Sequence, residues 1–410
     1  MVVQTTAISN QTASQSASVT NYIPIAGIAL FDSTETNSQV RFPTGSVTWQ
    51  NLYVRVSANN RSDSTTVRSR KNTANGNMVV TIAASTTGEF RDIVNTDSLA
   101  AGDDIAYSQT TGGGSGSITT RIFSSTFEHA SICVQPFRAD STIAPAGAQT
   151  IYLNVNGQHD TVQTTETTLG IKWDARHAGT WRRLQIRITA NSIGNGSTLT
   201  SRINGANGTQ TVSVSKGATG FFEDATNTDT VAANDDLNIS FAITGMSNQS
   251  ITIAWYGSGF ENSDSRAPKF TWMNSLYAND PSVSAGQIRY TACAGYRVNE
   301  ITESNTRLEI VGQNITASRL HTLIAANSRN GASTIELRKN DGRANQSISI
   351  SAAATGNFEN TINSDDLKTT DEVFYLLDGG SGTGSLEFAI CSMQLMIIIP
   401  RELSLLGAGR

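Results

Sequence analysis

The chain has 410 residues, of which 38% are hydrophobic and only 15% charged, with a formal net charge of −5. That apolar fraction suffices for packed cores and excludes wholesale disorder, while the scarcity of charge argues against long exposed helices with Glu/Lys faces. The acidic balance, set against 23 Arg and 6 Lys, offers nothing to draw the whole molecule to nucleic acid, and no apolar run approaches the roughly 18 residues of a membrane span.

Residues 1–20, MVVQTTAISNQTASQSASVT, are polar and low in complexity. They have neither a basic leader nor a long apolar stretch, so they read as an extended arm and not as an export signal. From Asn51, NLYVRVSAN alternates apolar and polar residues, the period of a half-buried strand. The Asn and Gly of VRSRKNTANG mark a hairpin turn, and NMVVTIAA returns as a second alternating strand. TGEFRDIVNTDSLAAGDDI follows, then the strand-like DDIAYSQT, a glycine-rich turn, and a closing strand in ITTRIFSSTFEHASICV.

This order recurs twice. Gly88, Gly220 and Gly356 open the three copies of T-G-x-F, at spacings of 220 − 88 = 132 and 356 − 220 = 136 residues. Each is followed at the same offsets by an aromatic (Phe90, Phe222, Phe358), an asparagine (Asn95, Asn227, Asn363) and two aspartates (Asp97, Asp229, Asp365; then Asp103, Asp235, Asp371). An R-x-N triplet precedes each copy, at Arg70–Asn72, Arg202–Asn204 and Arg338–Asn340. A period this long marks tandem domains, since solenoid repeats run to roughly 20–50 residues. RLQIRITAN from Arg183 and RLEIVGQN from Arg307 read as counterparts of NLYVRVSAN, which makes ASRLHTLIAANSRNGAS an insertion in the third copy, a surface loop suited to partner contact.

Short alternating strands at regular spacing, with no 3.6-residue period, predict an all-β protein. The expected architecture is three tandem antiparallel jelly-roll-like β-sandwich domains from an internal triplication, at 21–133, 134–266 and 267–397. The arm at 1–20 precedes them and a tail at 398–410 follows. VQPFRADSTIAPAG and ENSDSRAPKF, where Pro and polar residues gather, are the expected joints.

The repeated residues read first as architecture. The glycines take a tight turn before a packed aromatic, and the Asn and Asp side chains bond their own loops. The repeated Arg is placed to reach one of these carboxylates and tie two loops together. Asn95, Asp97 and Asp103, with Asp104, also gather hard oxygens of the kind calcium prefers, but no bidentate Glu is placed as in known loops. No cofactor is implied. The four histidines share no repeat position, and G-x-S-x-G, H-E-x-x-H and P-loop patterns are absent, so a non-enzymatic role is expected. Cys133 and Cys391 sit in apolar runs and read as core residues, without any C-x-x-C pair for zinc. Trp173, Trp181, Trp255, Trp272 and Tyr256 are candidates for stacking on sugars, although tryptophan in a sandwich is more often core.

The R-x-N triplet, the alternating strand and then T-G-x-F-x-D-x-x-N-x-D-x-[LV]-x-x-G-D resemble a repeat of tailed-bacteriophage structural proteins. The matching positions are Arg70–Asn72 with Gly88–Asp103, Arg202–Asn204 with Gly220–Asp235, and Arg338–Asn340 with Gly356–Asp371. The end of the pattern is similar to a late loop in the jelly roll of tumour necrosis factor-like domains. Asn234 and Thr370 depart from it by replacing Gly102, and the likeness covers about 60 residues of each copy. It implies a virion component such as a capsid decoration protein, head fibre or tail-associated module, assembled in the host cytoplasm. Its partners would be other virion proteins and further copies of itself, a trimer among the forms, with no nucleic acid or membrane.

Overall fold

A computed structural model describes residues 3–27, 31–130, 133–141, 144–155, 157–159, 162–166, 173–175, 178–245, 248–262, 270–275, 282–293, 295–296, 300–303, 306–309 and 314–397. Its regular elements among the described residues are strands, with a short 3-10 turn at Glu35–Asn37. Among the described residues no helix is long and apolar enough to cross a membrane.

Nine strands open the chain: β1 (Val3–Gln15), β2 (Thr20–Ile23), β3 (Val40–Arg41), β4 (Val47–Asn59), β5 (Thr65–Lys71), β6 (Ala74–Ile82), β7 (Gly88–Leu99), β8 (Asp104–Thr111) and β9 (Ile118–His129). They make two sheets, of order β1-β9-β4-β7 and β2-β8-β5-β6, with β3 also on β8. Early strands thus pair with late ones in both sheets, the wiring of a jelly-roll-like sandwich. The facing sides bury one apolar cluster, with Trp49, Val54 and Phe123 from one sheet and Ile23, Val67 and Tyr107 from the other. Four more sheets follow with the same internal order, around two further clusters.

The alternation that predicts β4 is interrupted once. Val47 and Trp49 face the core, and so do Leu52, Val54 and Val56. The change of parity falls at a bulge, where Asn51 takes φ +59°. Arg183 and Arg319 hold the same bulge at φ +54° and +53°. An extra residue at this point lets a long strand keep one face inward on both sides of the bend. The β5–β6 hairpin closes through Asn72 and Thr73, both at positive φ. Asn204–Gly205 and Asn340–Asp341 repeat it, as expected for a two-residue turn whose twist matches the strands.

Three expectations are corrected. The N-terminal stretch is not a free arm: Val3–Gln15 pairs antiparallel with β9 from Val3↔His129 to Gln15↔Ile118. Main-chain pairing needs no apolar side chains, and Gln15 is anchored by its Nε2 donating to Val19 O (2.6 Å) and Gln109 O (3.0 Å). The first joint is likewise a strand, Cys133–Ser141, pairing with Ile251–Asn262. Its proline is tolerated because the parallel partner Gly157–His159 reaches only Ala139–Ser141, and among the described residues no strand pairs with Pro136 on that side. The third-copy insertion does not exist. Ile315–Asn327 is the true counterpart of β4, at a constant offset of 268, and Leu320 and Ile324 are fully buried. Leu308–Glu309 instead occupies the place of β3. Most of the second joint, residues 263–269, and the tail at 398–410 lie outside the described residues.

Candidate functional site

Each repeated loop is organised by one side chain at its centre. In the first copy it is Asp92, which accepts from Val79 N (2.7 Å), Val94 N, Asn95 N and Asn95 Nδ2. Asp224 does the same for Thr211 N, Thr226 N, Asn227 N and Asn227 Nδ2. Burial would raise the pKa of both, but these bonds, led by those from Asn95 and Asn227, hold Asp92 below the ordinary value and Asp224 at about 2. In the third copy Asn360 keeps the two turn amides, Ile362 N and Asn363 N. Its Nδ2 now donates to Ser347 O (2.8 Å). Sequence reasoning passed over this position as a site because Asp and Asn alternate there, although the T-G-x-F-x-D string contains it.

The expected site residues separate into three functions. Phe90, Phe222 and Phe358 pack against the three clusters, following Gly88, Gly220 and Gly356 at φ +108°, +111° and +99°. Asp97 accepts from Ser69 Oγ (2.6 Å) and Asn77 N (2.7 Å). Asp229 accepts from Ser201 Oγ (2.6 Å) and Gln210 Nε2 (2.8 Å), and Asp365 from Asn345 N and Gln346 N. Beside the first two pairs a Cβ on Gly76 or Gly208 would lie 2.2 or 2.4 Å from the serine Oγ, so glycine is needed there. Asp103, Asp235 and Asp371 accept from the R-x-N asparagine, at 2.7, 2.7 and 2.6 Å, and cap a main-chain amide three residues back. Burial opposes ionisation of Asp103 and Asp371, but these donors and the adjacent Lys71 or Lys339 keep both pKa values lowered.

The calcium candidates are therefore spent on different donors. Asp97 faces Ser69, Asp103 faces Asn72 and Lys71, and Asn95 donates its amide to Asp92. Among the described residues no group of three His, Cys, Asp or Glu is arranged to hold a metal ion. The repeated Arg does not reach a signature carboxylate. Arg70 forks onto Glu35 (2.9 and 2.8 Å) and Arg202 onto Glu166 (3.0 and 2.7 Å), while Arg338 donates to Asp341 O. The lysine one residue later reaches the signature carboxylate instead, Lys71 at 3.0 Å from Asp103 and Lys339 at 3.7 Å from Asp371.

Trp181 and Tyr256 are buried in the second cluster. Trp255 is buried between Arg138, 4.8 Å from its ring centroid, and Phe221. The side chains of Trp173 and Trp272, and that of Cys133, lie outside the described residues. Cys391 is buried, as is Cys293.

A second set of contacts joins the copies. At one junction Gln185 both accepts from Arg41 N (3.0 Å) and donates to Arg41 O (3.2 Å). Arg41 pairs with Asp104 (3.0 Å) of its own copy and Glu223 (3.2 Å) of the next. Arg183 donates to Pro43 O, and the buried Arg138 to Asn37 O and Gln39 O. At another junction Arg55 Nη1 contacts both Glu89 and Glu372 (3.2 Å), Arg307 reaches Glu372 (2.7 Å), and Arg121 reaches Glu300 (2.8 Å). Tyr53 and Ile122 complete the third cluster. Burial and the neighbouring Glu89 raise the pKa of Glu372 against the pull of Arg307.

No protein-family description and no curated protein matches the chain. Among the solved structures with some likeness to the chain are two distant ones. One is reported under "The Triple Jelly Roll Fold and Turret Assembly in an Archaeal Virus", at 11% identity and TM-score 0.19, covering 95% of this chain and 91% of that one. The other is a Paenibacillus xanthan lyase, at 10% identity and TM-score 0.17, where 72% of this chain spans 30% of the lyase. Likenesses this distant assign no residue a role.

Proposed function

We propose that the chain is three tandem jelly-roll sandwiches closed on one another, serving as a non-enzymatic structural component of a bacteriophage virion and acting through protein–protein contacts. The strand order supports the fold: counting β2 and β3 as one position, the sheets run 1-8-3-6 and 2-7-4-5, the double Greek key. The first copy begins at an edge strand, and the opening strands of the other two, Cys133–Ser141 and Phe270–Ser275, each take one short parallel partner outside it. The observation that carries the functional reading is that the repeated acids are consumed by donors of their own loops, while the polar side chains beside them bind the neighbouring copy. The two junctions also run in the same sense. Tyr53 and Gln185 are equivalent at an offset of 132, as are Asp104 and Glu372 at 268. At both junctions one surface of a copy meets the opposite surface of another, the head-to-tail geometry that can close into a ring. Association with other virion proteins and with further copies of the chain belongs to the same proposal, as does a capsid, head-fibre or tail position.

Mass spectrometry of gradient-purified particles of the virus encoding this chain tests the reading. Stoichiometric presence is expected, and absence from mature particles refutes it. Deleting residues 1–20 does not serve as a test of anchoring, since it removes an edge strand from a sheet. A second reading, a carbohydrate- or receptor-binding module, is favoured by one polar groove on the first copy.

A further inference from the structure

The outward face of the β2-β8-β5-β6 sheet carries a groove of about 380 Å³, within the range of small-ligand sites. Its floor is two cross-strand rows, Thr20–Thr110–Thr66 and Tyr22–Ser108–Arg68. Arg70 closes one end, its guanidinium held by the Glu35 fork and 5.6 Å from the Tyr22 ring centroid. Arg68 is different. Half-buried in the groove, it has no hydrogen-bond or ion-pair partner among the described residues. An unpaired guanidinium among hydroxyls is a fork-shaped donor set for a carboxylate, with hydroxyls left for vicinal OH groups.

The sister copies argue that this is not a folding requirement. The Arg68 position holds Thr200 and Glu336, and the Thr110 position Ala242 and Asp378. The same sheets form there without the cation, whereas the residues that build the turns recur. Tyr22 and Arg70 do recur, as Tyr152 with Arg202, so the copy-specific feature is the added charge and its hydroxyl row.

We propose that this groove binds a carboxylate-bearing sugar unit, such as a uronate within an acidic polysaccharide, with Arg68 pairing the carboxylate and Thr66, Ser108 and Thr110 meeting ring hydroxyls. The inference rests on the second reading above, and its failure leaves the assembly reading standing. The test is calorimetric titration of the full chain with D-glucuronate, a glucuronate disaccharide, D-glucose and sodium sulfate, alongside a glycan array, for the native protein and Arg68→Gln. Preferential binding of the glucuronates, weakened about tenfold or more by R68Q as loss of a charged hydrogen bond requires, supports it. Equal binding of sulfate marks a plain anion site and overturns it. Array binding indifferent to R68Q overturns the groove while sparing a glycan-binding role, and no binding to any glycan overturns both. Arg68→Lys, which keeps the charge without the fork, should recover only part of the affinity. Full recovery would refute the bidentate pairing.

Discussion

Replacing Asp224 by Asn isolates the carboxylate at the centre of a repeated loop. Four main- and side-chain N–H groups and the Thr226 hydroxyl converge on Asp224. Its pKa is drawn from 3.8 to about 2 against the effect of burial. At 1.36 kcal/mol per unit this corresponds to ~2.4 kcal/mol, and screening by solvent at the loop reduces it to about 1–2 kcal/mol. The folded pKa is depressed, so the stabilisation is fully present above the unfolded value and is lost as pH falls through about 2. Asn360 shows that the amide fits the turn while giving up the acceptor toward the facing strand. Asp224→Asn should therefore keep the fold and lower protection of the Thr211, Thr226 and Asn227 amides by about 5–30-fold at neutral pH. Between pH 4 and pH 2 native protection should fall toward that of the variant. Hydrogen exchange resolved by NMR, expressed as protection factors so that intrinsic exchange cancels, measures both. Unchanged protection at neutral pH, or the same acid-dependent loss in D224N, would refute the account.

Other outcomes follow from the same contacts. Arg61, fully buried, donates to the carbonyls of Gly112, Gly114 and Gly116, so Arg61→Met should strand those acceptors and cost about 2–4 kcal/mol in urea unfolding; a loss under about 0.5 kcal/mol would show the loop holds its shape unaided. Glu372, raised in pKa partly by Glu89, contributes stability that is present below its unfolded pKa and lost as pH rises through the folded one. Glu89→Gln, which also gives up the ion pair with Arg55, should thus be better tolerated in melting temperature at neutral pH than near pH 4, and an equal shift at both pH values counts against the pairing. A Cβ on Gly259 would lie 2.2 Å from Pro43 Cβ, so Gly259→Leu should open the first junction and expose residues 35–43 to limited proteolysis, with native-like resistance disproving the contact.

Much of the plan was legible because it is written three times. The register of Gly88, Gly220 and Gly356, the alternation in β4 and β5 and the turn asparagines all follow from local rules that a strand and its hairpin obey alone. β1 was missed because Thr, Ser and Gln pair through the main chain as well as Val does, and no apolar alternation betrays them. The third-copy β4 lies twelve residues later than the likeness of RLEIVGQN suggests, because Thr322 stands where Val54 and Ile186 face the core and Leu323 takes the alternate position, so RLHTLIAAN lacks a clean apolar alternation. Arg61 and Arg329 gave no signal as core residues: an arginine among Ser, Asn and Gly reads as surface. Their burial depends on glycine carbonyls more than fifty residues away, at Gly114 and Gly384. Where the loop lacks that run of glycines, Ile193 fills the place instead.

The amino-acid text by itself carried the threefold recurrence of the signature and the all-β class, since these depend on periodicity and on residue spacing along the chain. Which acid meets which donor, how one copy seats on the next, and where Arg68 is left without a partner were decided only in three dimensions. Those relations join residues such as Arg41 and Glu223 or Arg55 and Glu372 across gaps of 182 and 317 positions, and no local pattern encodes a pairing that exists only after the sheets have closed.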